Sequence, residues 1–560
     1  MSRVQVEPKA PGENALNKML VASILLCLAL QVWLALVMEI NWDEFYFLSQ
    51  VYDYQRGELA TALQTLHVHL FGWLTAIGGD EIRQVIVGRF FMLACESATC
   101  ALVYALCRTF FGRPASLFAT LAYVSAGFTI IYGASFRTDP LAAMLIIASL
   151  AIVARGLISL PAAIGSALCA AVAAMVTVKV IFYAPAFAAI AAYRWRTSAE
   201  PRRALAWLAL AGALALIFFG ALYLLHLNSL ERGSLSATRS MLGGAASTTI
   251  VEAGLFSQGS EIVRSAILAP VKTVLLITAL VSIVVTASRN KEERLELLVL
   301  LSCAAPLLSL VIYRNAFPYF FPFIVPPGML LVGWLGDRQA WPRLGLPIAA
   351  SLMVAWAVFV AFLWSSHGQM VQRQTIAAVH RMFPQPVVYI DRSGMIASFP
   401  RRGFFMSTWG MLNYHKGPPI FSEILSRETV PLLIISGPAL NESAGLIAGV
   451  PDQLRLYPQD EKVLQQNYIQ HWGRIWVAGK RLDANPEPST FRVMIPGRYT
   501  VEGAPASIDG RALPPGATVD LERGLHSVKS ATPQILTLRW GNHLYRPANA
   551  PLPGPMYRGF

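Results

Sequence analysis

A chain of 560 residues with 55% hydrophobic and 14% charged residues, and a mean hydropathy of +0.50, lies far from the balance of soluble globular proteins, so most of it must reside in lipid. The formal charge of +13 does not indicate nucleic acid, because the basic residues of the apolar part form short clusters between apolar runs, as in cytoplasmic membrane loops. Cys27, Cys95, Cys100, Cys107, Cys169 and Cys303 all fall in or beside apolar segments without metal-site spacing, which makes them small buried hydrophobes.

Residues 1–18 are a polar, basic tail. The first apolar run, 19–39, lacks a small-residue cleavage site and is read as a retained span. Further apolar stretches at 84–107, 115–131, 140–154, 161–178, 180–193, 204–225, 269–287, 297–312, 321–336 and 344–365 bring the predicted total to about eleven. Several are shorter than the ~20 residues of a perpendicular helix. With a cytoplasmic N-terminus, Arg108/Arg113, Arg155, Arg194/Arg196/Arg202/Arg203, Arg289/Lys291/Arg294 and Arg338/Arg343 all fall on the cytoplasmic side. The other face then receives the large loop 40–83, the 132–139 turn, the Lys179 hairpin, 226–268, 313–320 and everything after 366. Residues 366–560 are polar, rich in Pro and Gly, and carry short β-favouring runs at Val387–Asp391, Leu432–Ser436, Arg474–Val477, Phe491–Ile495 and Gln534–Trp540. Ile495–Glu502 and Ala506–Arg511, the latter with an Asp509-Gly510 turn signal, read as hairpins of a small β-sandwich. The predicted fold is therefore a polytopic α-helical membrane domain over 19–365 with a soluble, β-rich or mixed α/β domain over 366–560.

Chemistry-bearing residues collect on the face opposite the basic loops. Asp43 and Glu44 follow the first span directly, and Phe45–Leu66 has the mixed apolar spacing of interfacial helices. His67 and His69, at i and i+2, share a face only in extended geometry, where a divalent metal held with Asp43 is conceivable. In Ser135-Phe-Arg-Thr-Asp-Pro140, Thr138 or Asp139 can cap the next helix, and Asp139 shares a face with Asp43. Lys179, in an apolar hairpin that ends at Tyr183, either snorkels to the interface or, with Arg314 between Tyr313 and Tyr319, meets a phosphate. Arg89 and Glu96, seven residues apart in the second span, read as structural.

This ordered set resembles the GT-C glycosyltransferases of the protein O-mannosyltransferase-like class, which includes bacterial aminoarabinose and galacturonic acid transferases of lipopolysaccharide. The resemblance rests on Asp43-Glu44, His67 to Trp73, Cys107-Arg-Thr-Phe-Phe-Gly-Arg113, Arg137-Thr-Asp-Pro-Leu141 and Lys179, and spans about residues 20–365. It implies a multi-pass enzyme of a bacterial inner membrane that moves a sugar from a polyprenyl-phosphate donor to an envelope glycan, lipid or protein, inverting the anomeric centre with or without a metal. Asp43 is then the base, with Asp139 and Glu44 as further acids. Lys179, Arg137 and Arg314 would meet the donor phosphate, and His67, His69, Tyr183, Tyr313 and Tyr319 the substrates. The chain departs from the family's His-Pro-Pro form, having His67-Val68-His69 instead. Rival readings are a transporter or flippase, since intramembrane charges also serve solute pathways, and an assembly protein that uses its C-terminal domain to bind a partner.

Overall fold

The computed structural model describes residues 13–156, 159–233, 254–291, 293–338, 345–366 and 368–559. The tail before residue 13, the middle of the 226–268 loop and Arg343 therefore lie outside the described residues. Seven single helices are long and apolar enough to cross a membrane: Glu13–Val37, Glu81–Cys107, Thr138–Arg155, Pro201–Asn228, Pro270–Arg289, Arg294–Ile312 and Gly345–Ser365. The pair Pro318–Ile324 and Pro326–Asp337, bent by 54°, makes an eighth if it counts as one span. The chain is thus a multi-pass membrane protein, and the expected count of eleven spans is not confirmed by helix length and composition. The stretch expected at 115–131 divides into Arg113–Val124 and Gly127–Tyr132, both buried along most of their length. Those at 161–178 and 180–193 become a 17-residue helix, Leu160–Val176, and a 14-residue helix, Ala184–Thr197, joined by a 3₁₀ turn, Val178–Tyr183. Each is helical but too short to meet the spanning criterion.

The basic loops gather at one end of the bundle. Gly112 N donates to Asp337 Oδ1 at 2.8 Å, Arg338 pairs with Glu293, and Phe110 packs on Tyr193. Arg155, Arg194, Arg203 and Trp207 line one cavity of about 560 Å³ there. The opposite end carries the 40–83 loop, whose only long element is the helix Trp42–Gln55, with a short helix His67–Phe71 before the second span.

Residues 366–559 form the expected mixed α/β domain. After the helix Met370–Met382, strand β1 (Tyr389–Ile390) pairs in parallel with both β2 (Arg401–Arg402) and β3 (Leu432–Ile434). From β3 the sheet continues antiparallel through β5 (Ile475–Ala484), β12 (Gln534–Trp540), β7 (Gly497–Glu502) and β10 (Thr518–Leu521), and β4 (Tyr468–Trp472) also pairs β5. A second sheet orders β6 (Ser489–Val493), β11 (Gly524–Lys529), β8 (Ala506–Ile508) and β9 (Arg511–Leu513). Asp509 and Gly510, both at positive φ, make the β8–β9 hairpin turn that their sequence requires. Strand β7 does not pair with β8 as the hairpin reading implied, because its partners are β10 and β12.

The soluble domain is docked closely on the bundle. Met38 bridges Gly368, Gln372 bonds both the N–H and the C=O of Ile40, and Arg56 reaches the carbonyls of Ala397 and Ser398. The C-terminal strand of chain returns to the same seam, where Arg558 N donates to Glu39 Oε1 at 2.9 Å. At the start of the second span, Glu81 accepts from Ser398 Oγ at 2.6 Å and meets His380 Nε2 at 2.9 Å.

That last contact makes docking pH-dependent. The hydrogen bond to Glu81 holds the His380 imidazole above its ordinary value, against the opposing effect of burial. A raised folded-state pKa contributes stability fully below the unfolded value of about 6.5 and loses it as pH rises through the folded one. The thermal midpoint of the detergent-solubilised protein should therefore fall from about pH 6 to about pH 8, and His380→Gln should flatten that fall.

Candidate functional site

The site begins with a helix cap. Asn41 Oδ1 accepts from Asp43 N at 3.0 Å and Glu44 Oε2 accepts from Asn41 N at 2.9 Å, which starts the Trp42–Gln55 helix and puts two acids in its first turn. Neighbouring residues on a helix point about 100° apart, so the two carboxylates go to different places.

Glu44 turns inward and is fully buried. It accepts from Arg89 Nε at 2.8 Å and Nη2 at 2.6 Å, and from Phe136 N at 2.7 Å. Arg89 spends its remaining donors on the carbonyls of Ala35, Met38 and Glu39, where the first span ends. Burial pushes the Glu44 carboxyl up, but Arg89 and these hydrogen bonds hold it below the usual range. With its oxygens engaged, Glu44 is an anchor, which corrects its expected place among the reacting acids. It fixes the 133–137 turn against the second span, where Gly88 lets the Phe136 ring approach so closely that a Cβ would lie 2.4 Å from it. Arg89 and Glu96 do not pair, since Glu96 takes the Tyr123 hydroxyl instead.

Asp43 turns toward Arg137, and the two form an ion pair through Asp43 Oδ2 and Arg137 Nη1. Arg137 Nε also meets Asp139 Oδ2 at 3.3 Å, and Asp139 Oδ1 accepts from Lys179 Nζ at 2.5 Å. The result is a row of alternating charge, Asp43–Arg137–Asp139–Lys179, contributed by three separate segments of chain. Asp139 spends its carboxylate on these cations and makes no side-chain cap, so the capping expectation at 138–139 is replaced by this pairing. Aromatic faces line the cations: the Arg137 guanidinium lies 3.4 Å from the Tyr319 ring centroid and 5.5 Å from that of Phe47, and Lys179 lies 5.1 Å from Tyr319. Of the three acids only Asp43 reaches solvent appreciably, its side chain being 11% exposed against 2% for Asp139 and 0% for Glu44. Asp43 Oδ1 has no hydrogen-bond partner among the described residues.

Other expected residues are placed elsewhere. No contact among the described residues joins Arg314 to the charged row. Tyr313 packs on Phe182 and Phe320, and the Tyr183 hydroxyl donates to the Phe323 carbonyl within the core. His67 and His69 lie in a helical turn, not a strand, and diverge. His67 is buried edge-on to Phe47, and burial pulls it down to about 4, whereas His69 Nε2 meets His226 Nδ1 at 2.8 Å. His67, His69 and Asp43 therefore do not converge, and among the described residues no three His, Cys, Asp or Glu side chains cluster as a metal site.

The soluble domain adds residues that the sequence reading missed. Arg392 lies 3.9 Å over the Trp42 ring, one residue from Asp43, and Tyr557 packs edge-on to Trp42 at 5.7 Å. A signal existed, because Arg392 follows a strand of the parallel part of the sheet, and ligand sites in such sheets favour the carboxyl ends of strands.

No family model matches the chain, and no curated protein matches it by sequence. Among solved structures, ArnT from Cupriavidus metallidurans bound to undecaprenyl phosphate superposes with a TM-score of 0.55 at 12% identity, over 84% of this chain and 98% of that one. The fold is that of the GT-C glycosyltransferases. The apo form of the same ArnT gives a TM-score of 0.54 at 12% identity, over 83% of this chain and 98% of that one. An oligosaccharyltransferase from Archaeoglobus fulgidus gives 0.49 at 11% identity, over 96% and 98% of the two chains. This chain therefore shares architecture along nearly the whole length of ArnT while sharing little sequence.

The two adjacent acids should separate by experiment. Glu44→Gln leaves the buried Arg89 without its counter-charge and should cost about 3–5 kcal/mol, read as a large drop in thermal midpoint. Asp43→Asn leaves Arg137 its pairing with Asp139 and should lower the midpoint much less. Equal losses would place Asp43 in the scaffold with Glu44.

Proposed function

We propose that the chain is a membrane glycosyltransferase that moves a sugar from a polyprenyl-phosphate donor to an acceptor hydroxyl in the cell envelope. The observation that carries this reading is the charged row at one end of the bundle, in which Arg137 clasps both Asp43 and Asp139 while one oxygen of Asp43 stays open. The likeness of fold to an ArnT crystallised with undecaprenyl phosphate supports the class of donor.

In this reading Asp43 Oδ1 takes the proton of the acceptor hydroxyl. The freed oxygen electron pair attacks the anomeric carbon, the bond from that carbon to the phosphate oxygen breaks, and the polyprenyl phosphate leaves with the electron pair. In-line displacement inverts the centre and needs no covalent intermediate. Arg137 and Lys179 lie where a leaving phosphate gains negative charge, and Asp139 positions both. A metal remains compatible with the reaction, although His67 and His69 do not form its site together. The basic end of the bundle faces the cytoplasm on this reading, and the acids and the 366–560 domain face outward from a bacterial inner membrane.

A transporter is the competing reading, but the acids here sit at one end of the helices, covered by the soluble domain, and not midway along them. The discriminating assay offers undecaprenyl-phosphate sugars and envelope acceptors to the purified full chain in nanodiscs. Asp43→Asn should lower turnover by about 100- to 10,000-fold with the fold intact, and Lys179→Met should also lower it. Solute flux in liposomes without any sugar transfer would replace this reading with the transporter.

A further inference from the structure

A concavity opens between the 40–83 loop, which contributes Tyr46, and the soluble domain. Its volume is about 350 Å³, within the range of small-ligand pockets of roughly 300–1,000 Å³. Its walls are the rings of Tyr46, Phe404, Phe405, Trp409 and Tyr414, together with Asn413. Two of its walls are stacked pairs: Tyr46 on Phe405 at 4.2 Å and 8°, and Phe404 on Tyr414 at 4.7 Å and 13°. Tyr414 is itself locked, donating to Asp460 Oδ2 at 2.6 Å, so the wall is preformed. Trp409 lies in the first turn of the helix Thr408–Tyr414, which Ser407 caps. Neither the Trp409 indole N–H nor the Asn413 amide has a hydrogen-bond partner among the described residues. Flat apolar faces with unspent donors at the rim are what a saccharide ring needs, since its C–H face packs on an aromatic ring while its hydroxyls require partners. An acyl chain would have no use for those donors.

The cavity is tied to the charged row by one helix turn. Tyr46 follows Asp43 by three residues in the Trp42–Gln55 helix, and side chains at that spacing are neighbours, with Cβ atoms about 5–6 Å apart. We propose that this aromatic cavity holds a saccharide unit of the acceptor and thereby presents an acceptor hydroxyl to Asp43. The inference rests on the transfer reading above and names the acceptor class for it: a glycan, or a glycan-bearing lipid.

The test uses the full chain in nanodiscs and saturation-transfer-difference NMR with maltohexaose, mannohexaose and galactohexaose as probes. At least one should take up saturation. Trp409→Ala and Phe405→Ala should each weaken binding about tenfold, the worth of one ring's packing, while Trp409→Phe retains most of it. Absence of saturation for all three, signals indifferent to both alanine variants, or displacement of the saccharide by decanoate would overturn the inference. Saccharide binding of the expected kind with no sugar moved from any donor would sink the transfer reading and leave the cavity standing. Transfer with an acceptor KM unmoved by Trp409→Ala would do the reverse.

Discussion

The site depends on one guanidinium. Asp43 and Asp139 come from segments nearly a hundred residues apart, and two carboxylates brought together in a buried site repel one another. Arg137 between them removes that penalty by pairing with both. Its own placement is set one residue earlier, where the Phe136 amide donates to Glu44, and Glu44 is set in turn by Arg89 and the carbonyls that end the first span. Replacing a buried pair such as Arg89–Glu44 with packed hydrophobes is often neutral for stability, so its value here is registry: it fixes the first span, the Trp42–Gln55 helix and the 133–137 turn relative to one another.

Much of this was legible in the sequence, and the parts that were not share a cause. Arginine clusters in alternate loops grouped those loops correctly at one end, because each helix reverses the chain. The Asp509-Gly510 turn and the short β-favouring runs were legible because turn chemistry and β-propensity are local. The count of eleven spans is not confirmed by length and hydropathy alone. Yet Arg113–Val124 and Gly127–Tyr132 together carry the chain from Gly112 at the basic end to Arg137 at the other, a crossing built from two short helices. The buried pairing of Glu44 with Arg89 was hidden, although Asn41-x-x-Glu44 is a capping-box pattern that foretells a Glu side chain folded back toward the backbone. His67-Val-His69 misled for a related reason: the i, i+2 rule for strands lapses once the segment winds into a helical turn.

What no local pattern could reveal is the seam between the domains. Ser49 lies against Gly394, Tyr46 stacks on Phe405, and Arg392 covers Trp42, and each contact joins residues more than 300 positions apart. The strand of chain after β12 closes the same seam, its Tyr557 beside Trp42 and its Arg558 on Glu39. The Trp42–Gln55 helix is therefore held between two bodies, which explains why so many of its residues are buried despite their polar character.

That arrangement has an electrostatic consequence. The row Asp43–Arg137–Asp139–Lys179 carries two negative and two positive charges, so by itself it is neutral and offers a phosphate oriented donors but little net attraction. Surplus positive charge must come from outside the row. Arg392 brings it to the Asp43 end, with a buried Nε that has no hydrogen-bond acceptor among the described residues. An unpaired guanidinium nitrogen in such a setting is costly unless something anionic completes it. On the transfer reading, the bundle arranges the donors and the docked domain, through Arg392, tips the balance of charge at the Asp43 end.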